Sequence, residues 1–223
     1  MKTFVIMFNR LTWAKNLCEF LSDNGCDVIL LDNGSTYPPL LEWYKKCPYK
    51  TYFFSTQHYN RTLWQSGILK EDKDKNYIVT DPDLDLSSVP HDFVDKLLTG
   101  LKNNPDVMKS GLSLKIDDLP ENEYTKKVIE WEKKWWEKPQ DKNGFYLADI
   151  DTTLAIYDSE RVERMYHSGF FLAVRSPKPY EARHCGWYFT PETITEEEKY
   201  YINHVVMPNR GHWTNELKKE LSK

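Results

Sequence analysis

The chain has 223 residues, enough for one domain with a substantial core. Hydrophobic residues at 40% and charged residues at 29% give the composition of an ordinary globular protein, and a formal net charge of −4 excludes the basic footprint of a nucleic-acid binder. Aromatic residues, at 14%, are frequent enough to line a sugar- or base-stacking cleft as well as to fill a core.

The first element is "TFVIMF" (3–8), a continuous apolar run with the β-branched and aromatic character of a buried parallel strand. With its flanks, "MKTFVIMFNRLTW", it resembles a signal peptide only superficially. Its apolar run of about five residues falls short of the roughly 7–15 that a signal core needs. No stretch reaches the length of a membrane span, so the expected location is the cytoplasm. In "LTWAKNLCEFLSDNG", Leu11, Ala14, Leu17, Phe20 and Leu21 recur at helical spacing, and Asn24-Gly25 supplies a C-terminal stop. A second buried strand, "CDVILLDNGS" (26–35), precedes a helix around "PLLEWYKKC" and a strand at "KTYFFST" (50–56). The segment from Asn60 to Lys70 reads as helix, and the polar loop "KEDKDKN" leads into the strand "YIVT" (77–80). Alternating strands and helices predict an α/β domain on a mostly parallel sheet.

The second half is less regular. "VPHDFVDKLLTGLKNNP" is an amphipathic helix and "DVMKSGLSLKI" a strand. "ENEYTKKVIEWEKKWWEK" is a charged helix whose Tyr124, Val128, Trp131 and Trp135 form one packing stripe. "GFYLADIDTTLAIYD" reads as loop then strand, "SERVERMYHSG" as a helix closed by Gly169, and "FFLAVRS" as a strand. Thr195 starts the helix of "TPETITEEEKYYINHVV", and a polar tail follows. The four cysteines, Cys18, Cys26, Cys47 and Cys185, lack CxxC or CxxH spacing and read as reduced thiols.

In open parallel α/β sheets, ligands bind beyond the carboxyl ends of the strands. Polar groups gather at three such ends: Asn9-Arg10 after the first strand, Asp32-Asn33-Gly34-Ser35 after the second and "DPDLD" after the fourth. Asp81, Asp83 and Asp85 alternate, so they would repel one another unless solvent, a basic partner or a cation stands between them. Carboxylates spaced i and i+2 at a strand end suit a hard divalent ion that bridges protein oxygens to phosphate. The competing structural reading is a solvated turn capping the helix near Pro90.

"FVIMFNRLTWAKNLCEFL", "VILLDNGSTYPPLLEWY" and "YIVTDPDLDL" together resemble the nucleotide-sugar-binding half of GT-A-fold glycosyltransferases, particularly the family-2-like group. Downstream, "ADIDTT" stands where that family carries its catalytic acid, and His184 where it places a late metal-binding histidine. The resemblance implies a single GT-A-type domain over 1–223. Residues 1–90 would form the nucleotide-sugar-binding half, and 91–223 the catalytic half with a small acceptor-side elaboration.

It also implies roles. Phe8, Asn9 and Arg10 would flank the nucleobase. Asp32 would meet base or ribose, with Asn33 and Gly34 forming the turn beside it. Asp81 would meet the ribose or the metal's water shell. Asp83 would ligate Mn2+ or Mg2+ on the diphosphate, with His184 completing the site and Asp85 as an extra acid that ligates or caps its own turn. Asp151 would be the catalytic carboxylate if the reaction inverts configuration, and a substrate-orienting group if it retains. The family motif is usually Glu-Asp where this chain has Ile150-Asp151, so Asp149 shares the candidacy. Arg61 and Gln65 would reach the nucleotide, and His212 and Arg210 in the tail are rivals for metal and phosphate. Trp64, Trp135, Trp136 and Trp187 read first as packing. The implied donor is a nucleoside-diphosphate sugar, UDP-linked in most members, and the acceptor a hydroxyl of a glycan or other molecule.

Two further classes share parts of the pattern. A haloacid-dehalogenase-like phosphatase would use Asp81 as nucleophile and Asp83 as general acid, although that family opens with this motif. A non-catalytic sugar-nucleotide-binding module would keep the fold alone. A nucleotidyltransferase would need a Gly-rich, basic triphosphate loop after the first strand, and none is present.

Overall fold

The computed structural model describes residues 1–55, 61–70, 74–161, 169–205 and 212–220. Its main sheet has seven strands, and its left half is built from the alternation visible in the sequence. The strands β1 (Lys2–Met7), β2 (Asp27–Asp32), β3 (Lys50–Phe53) and β4 (Asn76–Thr80) lie parallel in the order β3-β2-β1-β4. The helices α1 (Thr12–Asp23), α2 (Pro38–Tyr44) and α3 (Thr62–Gln65) connect them.

The continuous apolar runs follow from burial on both faces. Val5, Met7, Val28 and Leu30 belong to one core, while Phe4, Ile6, Ile29 and Leu31 belong to another on the opposite face. Gly25, at φ +75°, ends α1 in a backbone region that side chains disfavour. The helix expected from Asn60 to Lys70 is shorter: Gly67 at φ +82° separates α3 from a 3-10 turn at Ile68–Lys70, and Asn60 lies outside the described residues.

The right half extends the sheet with β8 (Ala155–Asp158), β6 (Lys109–Gly111) and β9 (Ala173–Arg175), giving β3-β2-β1-β4-β8-β6-β9. Only β8 runs against its neighbours, so the sheet is mostly parallel as expected. A three-stranded sheet, β5-β10-β7, stands beside it, made of β5 (Leu84–Asp85), β10 (Glu181–His184) and β7 (Ser113–Leu114). One stretch read as a single strand is therefore divided: "DVMKSGLSLKI" splits after Gly111 into β6 and β7. The strand expected at "FFLAVRS" forms as β9 and ends before Pro177 and Pro179, which cannot donate to a ladder, and β10 starts afresh in the small sheet.

Helix α4 (Phe93–Asn103) buries Phe93, Leu97 and Leu101. Helix α5 (Glu123–Trp136) starts with a reciprocal cap between Asn122 and Thr125. Its buried face is Tyr124, Thr125, Val128 and Glu132, whereas Trp131 is 51% exposed, so the expected aromatic stripe packs through only its first half. Thr195 caps α6 (Glu196–His204) by accepting from the Glu198 amide, as its position predicts. Helix α7 (His212–Glu220) ends the described chain. The helix expected across 159–169 falls largely on residues 162–168, outside the described residues, as does Arg210. All four cysteines are unpaired, and burial pushes the Cys18 thiol up to about 12.

Candidate active site at the carboxyl edge of the sheet

Parallel pairing puts the ends of β1, β2 and β4 on one rim, and the antiparallel β8 brings its beginning to the same place. Val79 pairs with Ala155, so the loop preceding β8, with Asp149 and Asp151, stands beside Asp81 at the end of β4. The small sheet adds a histidine. Pairing of His184 with Leu84 sets the imidazole next to Asp83, about a hundred residues away in sequence, and the Cys185 amide donates to the Asp83 carbonyl at 2.8 Å.

Asp83 is the most enclosed of the three acids at 81–85, at 2% exposure. Its Oδ2 lies 3.1 Å from Arg10 Nη1 and 3.6 Å from His184 Nε2. Burial opposes its ionisation, but Arg10 and His184 outweigh it and hold the carboxyl below the ordinary range. Arg10 also donates from Nε and Nη2 to Glu198 at 3.0 and 2.6 Å, and its guanidinium lies 3.5 Å from the centre of the Tyr201 ring. Burial works against that charge too, yet Asp83 and Glu198 raise its affinity for the proton. The Arg10 donors thus serve Asp83 and Glu198, and Phe8 packs edge-on against Tyr201 at 6.2 Å.

Asp81 and Asp151 form a second pair of acids, each within reach of the other's charge. Burial, then Asp151 and Asp83, push the Asp81 carboxyl well above the usual carboxylate range, with Thr152 as its hydrogen-bond partner. Asp151 goes the other way. Burial again resists its charge, but Thr153 donates to its Oδ1 from both the amide (3.1 Å) and the hydroxyl (2.9 Å), and Lys109 and Arg175 stand nearby. Like charges so close favour one protonated and one ionised member, and these surroundings make Asp151 the ionised one. The carboxyl is hemmed in by these partners, but Asp151 as a residue keeps solvent-exposed surface, as does Asp149.

The turn after β2 is self-contained. Asp32, 2% exposed, accepts from Gly34 and Ser35 amides through Oδ2 and from Tyr44 Oη through Oδ1, and Gly34 takes φ +77°. Asn33 accepts from Thr62 Oγ1 at 2.6 Å. Asn9, itself at φ +51°, accepts from Thr36 and Tyr37 amides, while its buried Nδ2 meets no acceptor among the described residues. Gln65 is exposed, and so is Arg61, which lies over the Phe170 ring at 4.5 Å.

The predicted metal set is only partly assembled. Among the described residues no three His, Cys, Asp or Glu side chains converge as ligands. Asp85 caps its own turn: Oδ1 accepts from the Ser87 amide at 2.9 Å and Oδ2 lies 3.8 Å from Arg183. His212, exposed on α7, packs against Trp213. Asp83 and His184 remain, and their 3.6 Å separation is less than two metal–oxygen bonds of about 2.1 Å end to end. Gly186 lies beneath them, where a Cβ would stand 3.4 Å from the imidazole. His184 Nδ1 is buried without a partner among the described residues, and its ring stacks on Trp187 at 4.8 Å. These two donors fit part of a hard cation's shell, with the remaining positions open to ligand oxygens.

Sequence reasoning passed over four charged residues that build this edge. Glu197 accepts from the Leu11 and Thr12 amides at 3.0 Å, giving α1 the N-terminal acceptor that its own sequence lacks. Glu198 holds Arg10, and Lys109 and Arg175 hold the Asp151 loop. Lys109 was detectable as a lysine inside an apolar strand; the glutamates lie in an ordinary acidic helix start and give no such signal.

The sequence matches no protein-family model and no curated protein. Among solved structures, residues 1–349 of S. aureus TarS superpose with a TM-score of 0.51 at 11% identity, covering 99% of this chain and 70% of that one. The fold is GT-A-type. A longer S. aureus TarS chain is covered over 42% of its length at a TM-score of 0.49. The glucosyl-3-phosphoglycerate synthase of Mycobacterium tuberculosis gives 0.45 at 12% identity, over 71% of this chain and 56% of that one. At such identities the likeness is one of GT-A fold, without a subgroup. Among the described residues no helix is long and apolar enough to cross a membrane.

Proposed function

We propose that the protein is a glycosyltransferase that moves a sugar from a nucleoside-diphosphate donor, UDP-linked in the first instance, to a hydroxyl acceptor. The observation that carries this reading is the placement of the Asp83–His184 pair beside the Asp81–Asp151 pair on the carboxyl edge of a GT-A-type sheet. The likeness in fold to S. aureus TarS supports it at the level of architecture.

Asp83 and His184 are the residues that would hold Mn2+ or Mg2+, an ion that, when bound, would neutralise charge on the departing diphosphate. The protein's own groups do the rest. Asp151, ionised and on a residue that keeps solvent-exposed surface, takes the proton of the acceptor hydroxyl as that oxygen bonds to the anomeric carbon. The bond from that carbon to the diphosphate oxygen breaks, and the nucleoside diphosphate leaves with the electron pair. A positioned carboxylate in this role contributes roughly 10²–10⁴-fold in rate. Asn9 offers a buried donor, Nδ2, toward the end of β1, where the base would lie. Arg10 keeps Asp83 ionised and in place from behind.

The test is release of nucleoside diphosphate from a panel of UDP-, GDP- and dTDP-sugars with Mn2+ present. Wild type is expected to release one of them. Asp151→Asn is expected to keep nucleotide affinity and lose at least a hundredfold in release. Full activity in that variant, or inorganic phosphate release in place of a nucleotide, contradicts the assignment.

A further inference from the structure

Lys109 has no exposed surface and stands in β6, the strand between β8 and β9, where Val or Ile would ordinarily pack. Among the described residues no carboxylate lies within ion-pair distance of its Nζ. That group donates instead to the Asp151 backbone carbonyl and, at 3.1 Å, to Tyr157 Oη, with the Phe170 ring centre 4.1 Å away. Burial pushes the ammonium down to about 7, a mark of how little compensates it. A second buried cation, on the neighbouring strand, works on the same loop. Arg175, at the end of β9, donates from Nε to the Asp149 carbonyl at 2.8 Å, while its Nη1 is paired with buried Glu132 of α5. Between these points the Ile150 amide donates to the Phe171 carbonyl at 3.0 Å.

Buried cations are costly, and replacing them with apolar side chains often leaves stability unchanged or higher. Here two of them converge on alternate carbonyls of the one loop that presents Asp151. We propose that Lys109 and Arg175 are positioning residues, a two-point clamp on the carbonyls of Asp151 and Asp149 that sets the direction of the Asp151 carboxylate. The proposal rests on the reading of Asp151 as the proton acceptor. Its magnitude is sufficient, because a misplacement of about 1 Å at a reacting group costs about 10²-fold. Lys109 also steadies Tyr157, so the clamp is tied into β8 as well as β6.

Hydrogen exchange followed by mass spectrometry over 148–154, together with nucleotide affinity, tests the clamp without depending on turnover. In Lys109→Met and in Arg175→Met, the Ile150 and Thr153 amides are expected to exchange about tenfold faster, with β1 and β2 unchanged and affinity for UDP with Mn2+ within about twofold. Arg175→Lys, which keeps a donor, should restore most of the protection. Where wild type turns over a sugar nucleotide, kcat is expected to fall about 10- to 100-fold at nearly constant KM. Unchanged exchange in both Met variants overturns the clamp. So does wild-type kcat in them while Asp151→Asn is inactive. If Asp151→Asn is itself fully active, the proton-acceptor reading fails, and the exchange data still decide whether the loop is clamped. Should Lys109→Met not fold, exchange in Arg175→Met and Arg175→Lys decides between the same two outcomes.

Discussion

Arg10 and His184 both approach the same oxygen, Oδ2 of Asp83, so that carboxylate sits between a guanidinium and an imidazole. Asp83→Ala should abolish any metal-dependent gain in nucleotide affinity while leaving the chain folded. A gain with Mn2+ in the variant as large as that of wild type, measured by calorimetry, would remove Asp83 from the site. His184→Ala should weaken the Mn2+ effect on nucleotide affinity more than His212→Ala does, since only His184 stands against Asp83; the reverse order would give the role to α7.

Lys109 makes a prediction about pH. Its proton affinity falls from an ordinary 10.5 to about 7 through burial, so between those values the unfolded chain holds a proton that the native chain has released. Raising pH through that window therefore stabilises the native state, and the burden of the buried charge is present below it. The melting temperature of wild type should climb from pH 7 to about pH 9.5 relative to that of Lys109→Met. Parallel curves would mean the lysine is not titrating there.

Elements rather than residues decide how the edge is assembled. Helix α6 is fastened to the starts of the first two loops through Glu197, Glu198 and Tyr200, whose hydroxyl donates to Thr36 at 3.1 Å. Glu198→Ala strips a bidentate partner from a buried guanidinium and should cost on the order of 3 kcal/mol in urea unfolding, with Glu198→Gln milder. A cost under about 0.5 kcal/mol would mean that Arg10 relaxes to solvent. Gly111 of β6 is the close approach between sheet and loop: an added Cβ would stand 2.6 Å from the Leu154 carbonyl and 2.7 Å from Ile150. Gly111→Ala should therefore cost about 1–3 kcal/mol and loosen the Asp151 loop.

These pairings also mark what the sequence could carry. The strands β1 to β4, their helices and the polar strand ends were legible because hydrophobic period and turn residues are local signals. The division of 106–116 between two sheets was not, since Leu112 differs little from its neighbours and the choice of partner strand is made at long range. Arg10 could be placed after β1 from sequence, but not against Glu198 nearly two hundred residues later. Lys109 and Arg175 sit in apolar runs that mark strands, and only the folded sheet shows that both point at one loop.

At the scale of the molecule, a mostly parallel sheet gathers the polar strand ends on one rim, one reversed strand turns the Asp151 loop back onto it, and a small second sheet delivers His184. The arrangement explains why the acids at 81–85 diverge in role. Asp83 faces inward to Arg10 and His184, Asp81 faces Asp151, and Asp85 caps a turn. Calorimetric titration of wild type and Asp83→Ala with UDP, with Mn2+ present and after its removal by chelation, tests this account most directly. Wild type should bind at least tenfold more tightly with the ion, and Asp83→Ala should show no difference; wild-type affinity indifferent to the ion, or an equal gain in the variant, would contradict it.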